Sequence, residues 1–182
     1  MADGKETGLL LLNDSKHGYS LDGSTFRLTL IRSSYEPDPL PDIGSHDIRV
    51  TLEPFVGPLP VAKAIASGRV FNHPLRIIGT TAHKGPLVPD KSLVSISPAS
   101  CVLSGIKKAH RKNALVLTFF EPTGQDQTVT AEFDAKLFGK LKNATEVNLL
   151  EEPVKNSRAE ARGQKVRLKI PAHGIASMLV RF

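Results

Sequence analysis

Hydrophobic and polar residues alternate with period two along much of this chain, the pattern of strands with one face covered. Over residues 47–53, Ile48, Val50 and Leu52 fall on one side and Asp47, Arg49, Thr51 and Glu53 on the other. The apolar three are predicted to face inward. Phe26, Leu28 and Leu30 alternate with Arg27 and Thr29 in the same way, which predicts a second half-buried strand. Asp22-Gly23 precedes it between two alternating segments and predicts a hairpin closed by a type I′ turn, because both residue types accept positive φ. Ahead of this hairpin an apolar run, Leu9-Leu10-Leu11-Leu12, gives way to a polar, turn-rich stretch at 13–19.

Residues 34–44 hold Pro37, Pro39 and Pro41, which exclude a helix or a central strand and leave a stiff loop. The one helix pattern lies near 60–70. Pro60 suits a first helical position, Val61, Ala62, Ile65, Ala66 and Val70 form the apolar stripe, and His73-Pro74 stops it. A short apolar stretch at 75–78 leads into a Gly- and Pro-containing segment at 79–92. Beyond it, short strand patterns recur at Leu93, 115–119, 129–133, 147–150, 166–170 and 178–182, with turn residues at 122–124, 152–153 and 171–174. Strands spaced in this way predict an antiparallel β-sandwich. The fold expected is mainly β with one short helix: a disordered start at 1–8, a first unit at 9–90 and a second at 91–182.

Composition narrows the function classes. A chain of 182 residues can bury roughly 70% of its unfolded surface, so a core needs no staples. The single cysteine, Cys101, excludes an internal disulfide framework and a multi-cysteine metal site. No apolar run approaches the ~20 residues that span a bilayer, and 9–12 is too short for a leader, which points to an untargeted, cytoplasmic chain with no membrane partner. The net charge of +6 is unevenly divided: residues 1–90 carry 9 basic and 10 acidic groups, residues 91–182 carry 15 and 8.

Few residues suggest chemistry. Cys101 sits between Ala99 and Val102 with His110 nine residues on, the setting of a small buried hydrophobe more than of a nucleophile. The histidines at 17, 46, 73, 83, 110 and 173 have no metal-ligand spacing. Asp38 and Asp42 share a loop, but four residues in a polyproline-like path span about 12 Å. A glycosidase pair needs roughly 5–9.5 Å. The basic clusters at 107–112, 136–142 and 155–169 lack aromatic platforms, so nucleic acid is not expected as a partner. An autonomous sugar-binding module usually offers aromatic faces, and here there is no Trp and only Tyr19 and Tyr35.

Several words of the sequence, in order, are familiar. Leu-Leu-Leu-Leu-Asn-Asp-Ser-Lys-His-Gly-Tyr at 9–19, Phe26-Arg27-Leu28-Thr29-Leu30-Ile31-Arg32-Ser33, and Pro37-Asp38-Pro39 with Asp42, Gly44 and His46 resemble the C-terminal region of the α-mannosidases of glycoside hydrolase family 38. Phe71-Asn72-His73-Pro74-Leu75, residues 115–124, 146–151 and 166–182 continue the resemblance nearly to the end of the chain.

The resemblance implies part of a large β-sandwich at 9–90 followed by a small terminal sandwich at 91–182. It also implies that the zinc ligands, the nucleophilic Asp and the acid/base carboxyl lie in an N-terminal catalytic domain outside this chain. No catalytic residue, metal ligand or cofactor is therefore expected here, with zinc assigned to that domain. The expected partners are the remainder of the α-mannosidase polypeptide and a mannose-containing glycan. Asn13, Asp14, Lys16 and Tyr19 in the first turn, and Arg32, Tyr35, Asp38, Asp42 and His46 in the proline-rich loop, are the residues expected to approach the substrate cleft. The alternative class is a stand-alone sandwich whose basic half binds a polyanion or a partner protein.

Overall fold

The computed structural model describes residues 6–85, 88, 90–110 and 113–182. The chain divides into two units, Met1–Ile78 and Gly79–Phe182.

The first unit is built from two separate ribbons and a helix. Strand β1 (Thr7–Asn13) begins two residues before the apolar run, and residues 1–5 of the expected disordered start lie outside the described residues. Thr7 and Gly8 are ordered by pairing with Val56 and Phe55, at the end of β4 (Val50–Val56). The Phe55 ring covers Gly8 so closely that a Cβ there would collide with it. Between these strands, β2 (Tyr19–Asp22) and β3 (Thr25–Leu28) form the predicted hairpin. Its turn is different. Asp22 pairs with Thr25, so Gly23 and Ser24 are the central residues, and of these only Gly23 has positive φ, at 58°. That is the pattern of a type II′ turn, in which only the first central residue must be left-handed. The proline-rich loop follows, and helix α1 (Val61–Asn72) covers the predicted helical segment and runs two residues further, ending at His73.

Burial reverses the expectation for β4. Val50 and Leu52 are 42% and 56% exposed, and the half-buried positions are Glu53 and Phe55. The reason is which face has a cover. Helix α1 lies over the Glu53 side of the ribbon, where Lys63 pairs with Glu53 at 2.8 Å. The other side, with Leu9, Val50, Leu52 and Val56, is bare. Phe26 and Leu30 are likewise exposed, so β3 is not the half-buried strand that its alternation predicts. Among the described residues of this unit, none is fully buried. The apolar segment at 75–78 is also uncovered, with Leu75 and Ile77 each 95% exposed.

The second unit has a core. Strands β5 (Val94–Ser97), β6 (Val102–Lys108), β7 (Leu115–Phe120), β8 (Gln127–Phe133), β9 (Asn143–Val147), β10 (Glu160–Arg162), β11 (Lys165–Ile170) and β12 (Ile175–Arg181) form two antiparallel four-stranded sheets, ordered β10-β11-β8-β5 and β6-β7-β12-β9. Their inner faces enclose Leu117, Phe119, Met178 and Val180 on one side and Val129, Ala131, Phe133, Val166, Leu168 and Ile170 on the other. Cys101 is buried in this core. A single helical turn, α2 (Ala135–Phe138), is a second helix that the sequence pattern does not predict, capped by Asp134, whose carboxylate accepts the Lys136 N–H at 2.8 Å. It brings Phe138 against Phe133 and Phe182 at ring separations of 5.4 and 5.1 Å.

Two strands lack a readable pattern, and one predicted strand is displaced. In β6 a bulge between Leu103 and Gly105 breaks the alternation. The three-residue β10 is too short to show a period. The strand expected at 147–150 ends at Val147, because the Asn148 side chain accepts the N–H groups of Leu150 and Glu152 and closes a turn that leaves Leu149 and Leu150 exposed. Among the described residues no helix is long and apolar enough to cross a membrane.

Candidate functional site

In the first unit the chemistry-bearing residues gather where β1 ends. Asn13 Oδ1 accepts the Lys16 N–H at 2.6 Å and closes the following turn. The Asn13 carbonyl accepts from Asn72 Nδ2 at 3.2 Å, and the same amide group donates to Gly68 O at 3.0 Å. The last residue of α1 thereby holds the turn. Asp14 is held from another direction: its Oδ2 accepts from Arg49 Nε at 2.9 Å, and its Oδ1 from the Ser15 hydroxyl at 3.1 Å. The Arg49 guanidinium lies 5.5 Å from the centre of the Phe71 ring, a cation–π distance. Hydrogen bonding to Arg49 holds the Asp14 carboxyl below the usual range. Asp14 is thus held as an acceptor that anchors the turn.

The remaining expected cleft residues are not gathered there. Tyr19 and Tyr35 are 69% and 79% exposed. Tyr19 stacks on Phe26 with ring centres 6.1 Å apart. In the proline-rich loop, Asp38 Oδ1 accepts the Leu40 N–H at 3.0 Å, and His46 Nε2 donates to the Asp42 carbonyl at 2.9 Å. Arg32 is exposed in the extended segment after β3. None of the hydrogen bonds among the described residues joins Tyr19, Arg32, Tyr35, Asp38, Asp42 or His46 to the Asn13–Asp14 turn. Arg49, Phe71 and Asn72, which fix that turn, are missing from the expected cleft residues, although Phe71-Asn72 stands in one of the words that carry the family resemblance. Arg49 reads as one polar position of an alternating strand, and its partner Asp14 is 35 residues away.

The second unit carries three buried carboxylates, each committed to the fold. Glu121 accepts the N–H groups of Thr123, Gly124, Gln125 and His173 at 2.7–3.2 Å, and the Thr123 hydroxyl as well. Burial would push this carboxyl up, but the combined hydrogen bonds from Thr123, His173 and Gly124 hold it down at about 2. Glu146 forms a two-point pair with Arg158, whose Nε–H lies 3.1 Å from Oε2 and whose Nη2 meets Oε1. Arg158 keeps the Glu146 carboxyl below its ordinary value. Glu151 joins Lys107 Nζ at 2.8 Å and the His110 N–H at 2.8 Å, which ties the turn after β9 to the end of β6. The Cys101 thiol is pushed up by burial and by the charge of Glu121, so it stays a protonated core group.

These features define a class: an antiparallel sandwich whose buried charges staple turns together, preceded by a strand-and-helix unit with an uncovered apolar face. The family model described as "Glycosyl hydrolases family 38 C-terminal beta sandwich domain" matches residues 100–178, nearly all of the second unit from its first buried residue onward. Three relatives extend the match into the first unit. Alpha-mannosidase G of Dictyostelium discoideum is 31% identical over 159 residues, 84% of this chain and 14% of that protein. Alpha-mannosidase 2C1 of Mus musculus is 30% identical over 180 residues, 95% of this chain and 16% of that protein. The alpha-mannosidase of Saccharomyces cerevisiae is 26% identical over 197 residues, 96% of this chain and 17% of that protein. The chain belongs to glycosyl hydrolase family 38 and carries its C-terminal β-sandwich domain. It spans only 14–17% of the length of these curated relatives.

Proposed function

We propose that this chain serves as the non-catalytic C-terminal portion of a zinc-dependent, retaining α-mannosidase that removes terminal α-mannosides from glycans. In this reading it supports the catalytic part and edges the substrate cleft. One observation carries it: the first unit has strands and a helix but no fully buried residue among those described, and a bare apolar face at Leu9, Val50, Leu52 and Val56. Such a face is stable only under a cover. The remainder of the mannosidase polypeptide is the cover we propose.

The cleft residues in this reading are Asn13, Asp14, Lys16, Tyr19, Arg32, Tyr35, Asp38, Asp42 and His46. The Asn13–Asp14 turn is the best supported, because Arg49 and Asn72 fix it from two elements. Zinc is assigned to a part of the polypeptide outside this chain. A cytoplasmic location belongs to the same proposal.

The test is activity by complementation. The purified chain is expected not to hydrolyse an aryl α-mannoside with or without added zinc, and co-expression with the remaining α-mannosidase polypeptide is expected to yield an active complex. Zinc-dependent turnover by the chain alone would overturn the reading.

A further inference from the structure

A groove lies at the paired ends of strands β8 and β11 in the second unit. Lys169 lies opposite Thr128 and Arg167 opposite Thr130 in the β11–β8 pairing. Side chains in such positions share a face about 5 Å apart. A cavity of about 310 Å³ lies among Asp126, Gln127, Thr128, Arg158, Lys169 and Pro171. A smaller one of about 70 Å³ shares Thr128, Arg158 and Lys169 and adds Glu160 and Arg167.

The two ends of the groove differ in chemistry. At one end Arg158, Arg167 and Lys169 line the smaller cavity together with the Glu160 carboxylate. Arg158 is held in place, because Glu146 takes its Nε–H and one Nη2 hydrogen. Three of its five side-chain N–H donors are left for the groove. Glu146 is buried and the Arg158 side chain is about half-exposed, so the pair fixes a guanidinium that still reaches the surface. At the other end Gln127 and Asp126 offer an amide and a carboxylate, acceptors for sugar hydroxyls, with Asp126 steadied by the Ala172 N–H at 2.9 Å. No aromatic side chain lines either cavity, so a nucleobase would find no stacking surface. The larger volume is at the lower end of the roughly 300–1,000 Å³ range of small-molecule sites, the size for one ring and one anionic group.

We propose that this groove binds a phosphorylated monosaccharide, with the phosphate between Arg158, Arg167 and Lys169 and the ring hydroxyls toward Gln127 and Asp126. This does not rest on the mannosidase reading, whose cleft residues and uncovered face all lie in the first unit.

The test is an amide-resolved NMR titration of the full chain with three probes: glucose 6-phosphate, inorganic phosphate and glucose. Glucose 6-phosphate is expected to shift the amides of residues 127–128, 158 and 167–169 saturably. Inorganic phosphate is expected to shift the same amides at least about tenfold more weakly, and glucose more weakly still. The exposed pair Arg167→Gln and Lys169→Gln should cost about tenfold or more, because each removes a charge-assisted bond. Glu160→Gln, which removes the carboxylate paired opposite Arg167 on β10, should tighten binding. Lys136→Gln with Lys140→Gln, away from the groove, should change nothing. Equal affinity for inorganic phosphate, unsaturable shifts spread over all surface lysines, or indifference to the Arg167 and Lys169 changes would each overturn the proposal.

Discussion

Glu121 is buried and yet ionised, and that combination has a measurable consequence. A glutamate in the unfolded chain titrates near 4.5, whereas the native Glu121 titrates at about 2. Between these values the unfolded chain holds the extra proton, so stability rises with pH across the window and is lost as pH falls from 4.5 through about 2. Denaturant midpoints measured at several pH values should fall over this window for the natural chain. The Glu121→Gln chain should start lower at neutral pH and change less between pH 4.5 and 2. Parallel curves would assign the acid sensitivity to other groups. Arg49 matters for a different reason, since its guanidinium bridges Asp14 and the Phe71 ring. Lysine keeps the charge but loses both the Nε–H and the planar stacking face. In the α-mannosidase that we propose, Arg49→Lys is expected to lower kcat/KM by about tenfold, the effect of loosening a positioned turn. Unchanged kinetics would remove the Asn13–Asp14 turn from the cleft.

At the scale of elements, alternation is informative on the regular strands of the sandwich, though not on the bulged β6 or the three-residue β10. Residues 165–170 read as a strand because Val166, Leu168 and Ile170 are buried in turn while Lys165, Arg167 and Lys169 are not. The same signal at 47–53 identified an apolar face correctly and its burial wrongly, because period two shows which side is apolar and says nothing of whether a cover is in the chain. Asn148 moved one strand end by capturing N–H groups of its own turn, a local bond that no periodicity displays. The Asp14–Arg49 contact was illegible because it joins residues 35 positions apart. The cores of the two units should respond differently to truncation. Phe133, 2% exposed and packed edge-on against two rings, should cost about 3–5 kcal/mol when changed to alanine, read as a shift in the urea midpoint of the second unit. Leu52→Ala should change the stability of the isolated chain by no more than about 0.5 kcal/mol. Under the cover that we propose, the same change should cost about 2–5 kcal/mol, as for a core leucine. A large loss in the isolated chain would mean that Leu52 is already covered.

At the scale of the whole chain the two units pose opposite problems. The second encloses a continuous core between two sheets and staples its turns with buried carboxylates. The first offers apolar strands that nothing among the described residues covers. The chain as a whole matches α-mannosidases over most of its own length and a small fraction of theirs. The charge asymmetry follows the same division, because the excess of cations belongs to the unit with a closed core and the near-neutral half is the one with a bare apolar face.

Hydrogen–deuterium exchange of the 182-residue chain, alone and with the remaining α-mannosidase polypeptide, tests this account most directly. In the chain alone, amides of β7, β8, β11 and β12 should be strongly protected while those paired between β1 and β4 exchange nearly as fast as in an unfolded chain. Adding the rest of the polypeptide should slow β1 and β4 and leave the second unit unchanged. Protection of β1 and β4 in the isolated chain equal to that of the sandwich strands would contradict the account.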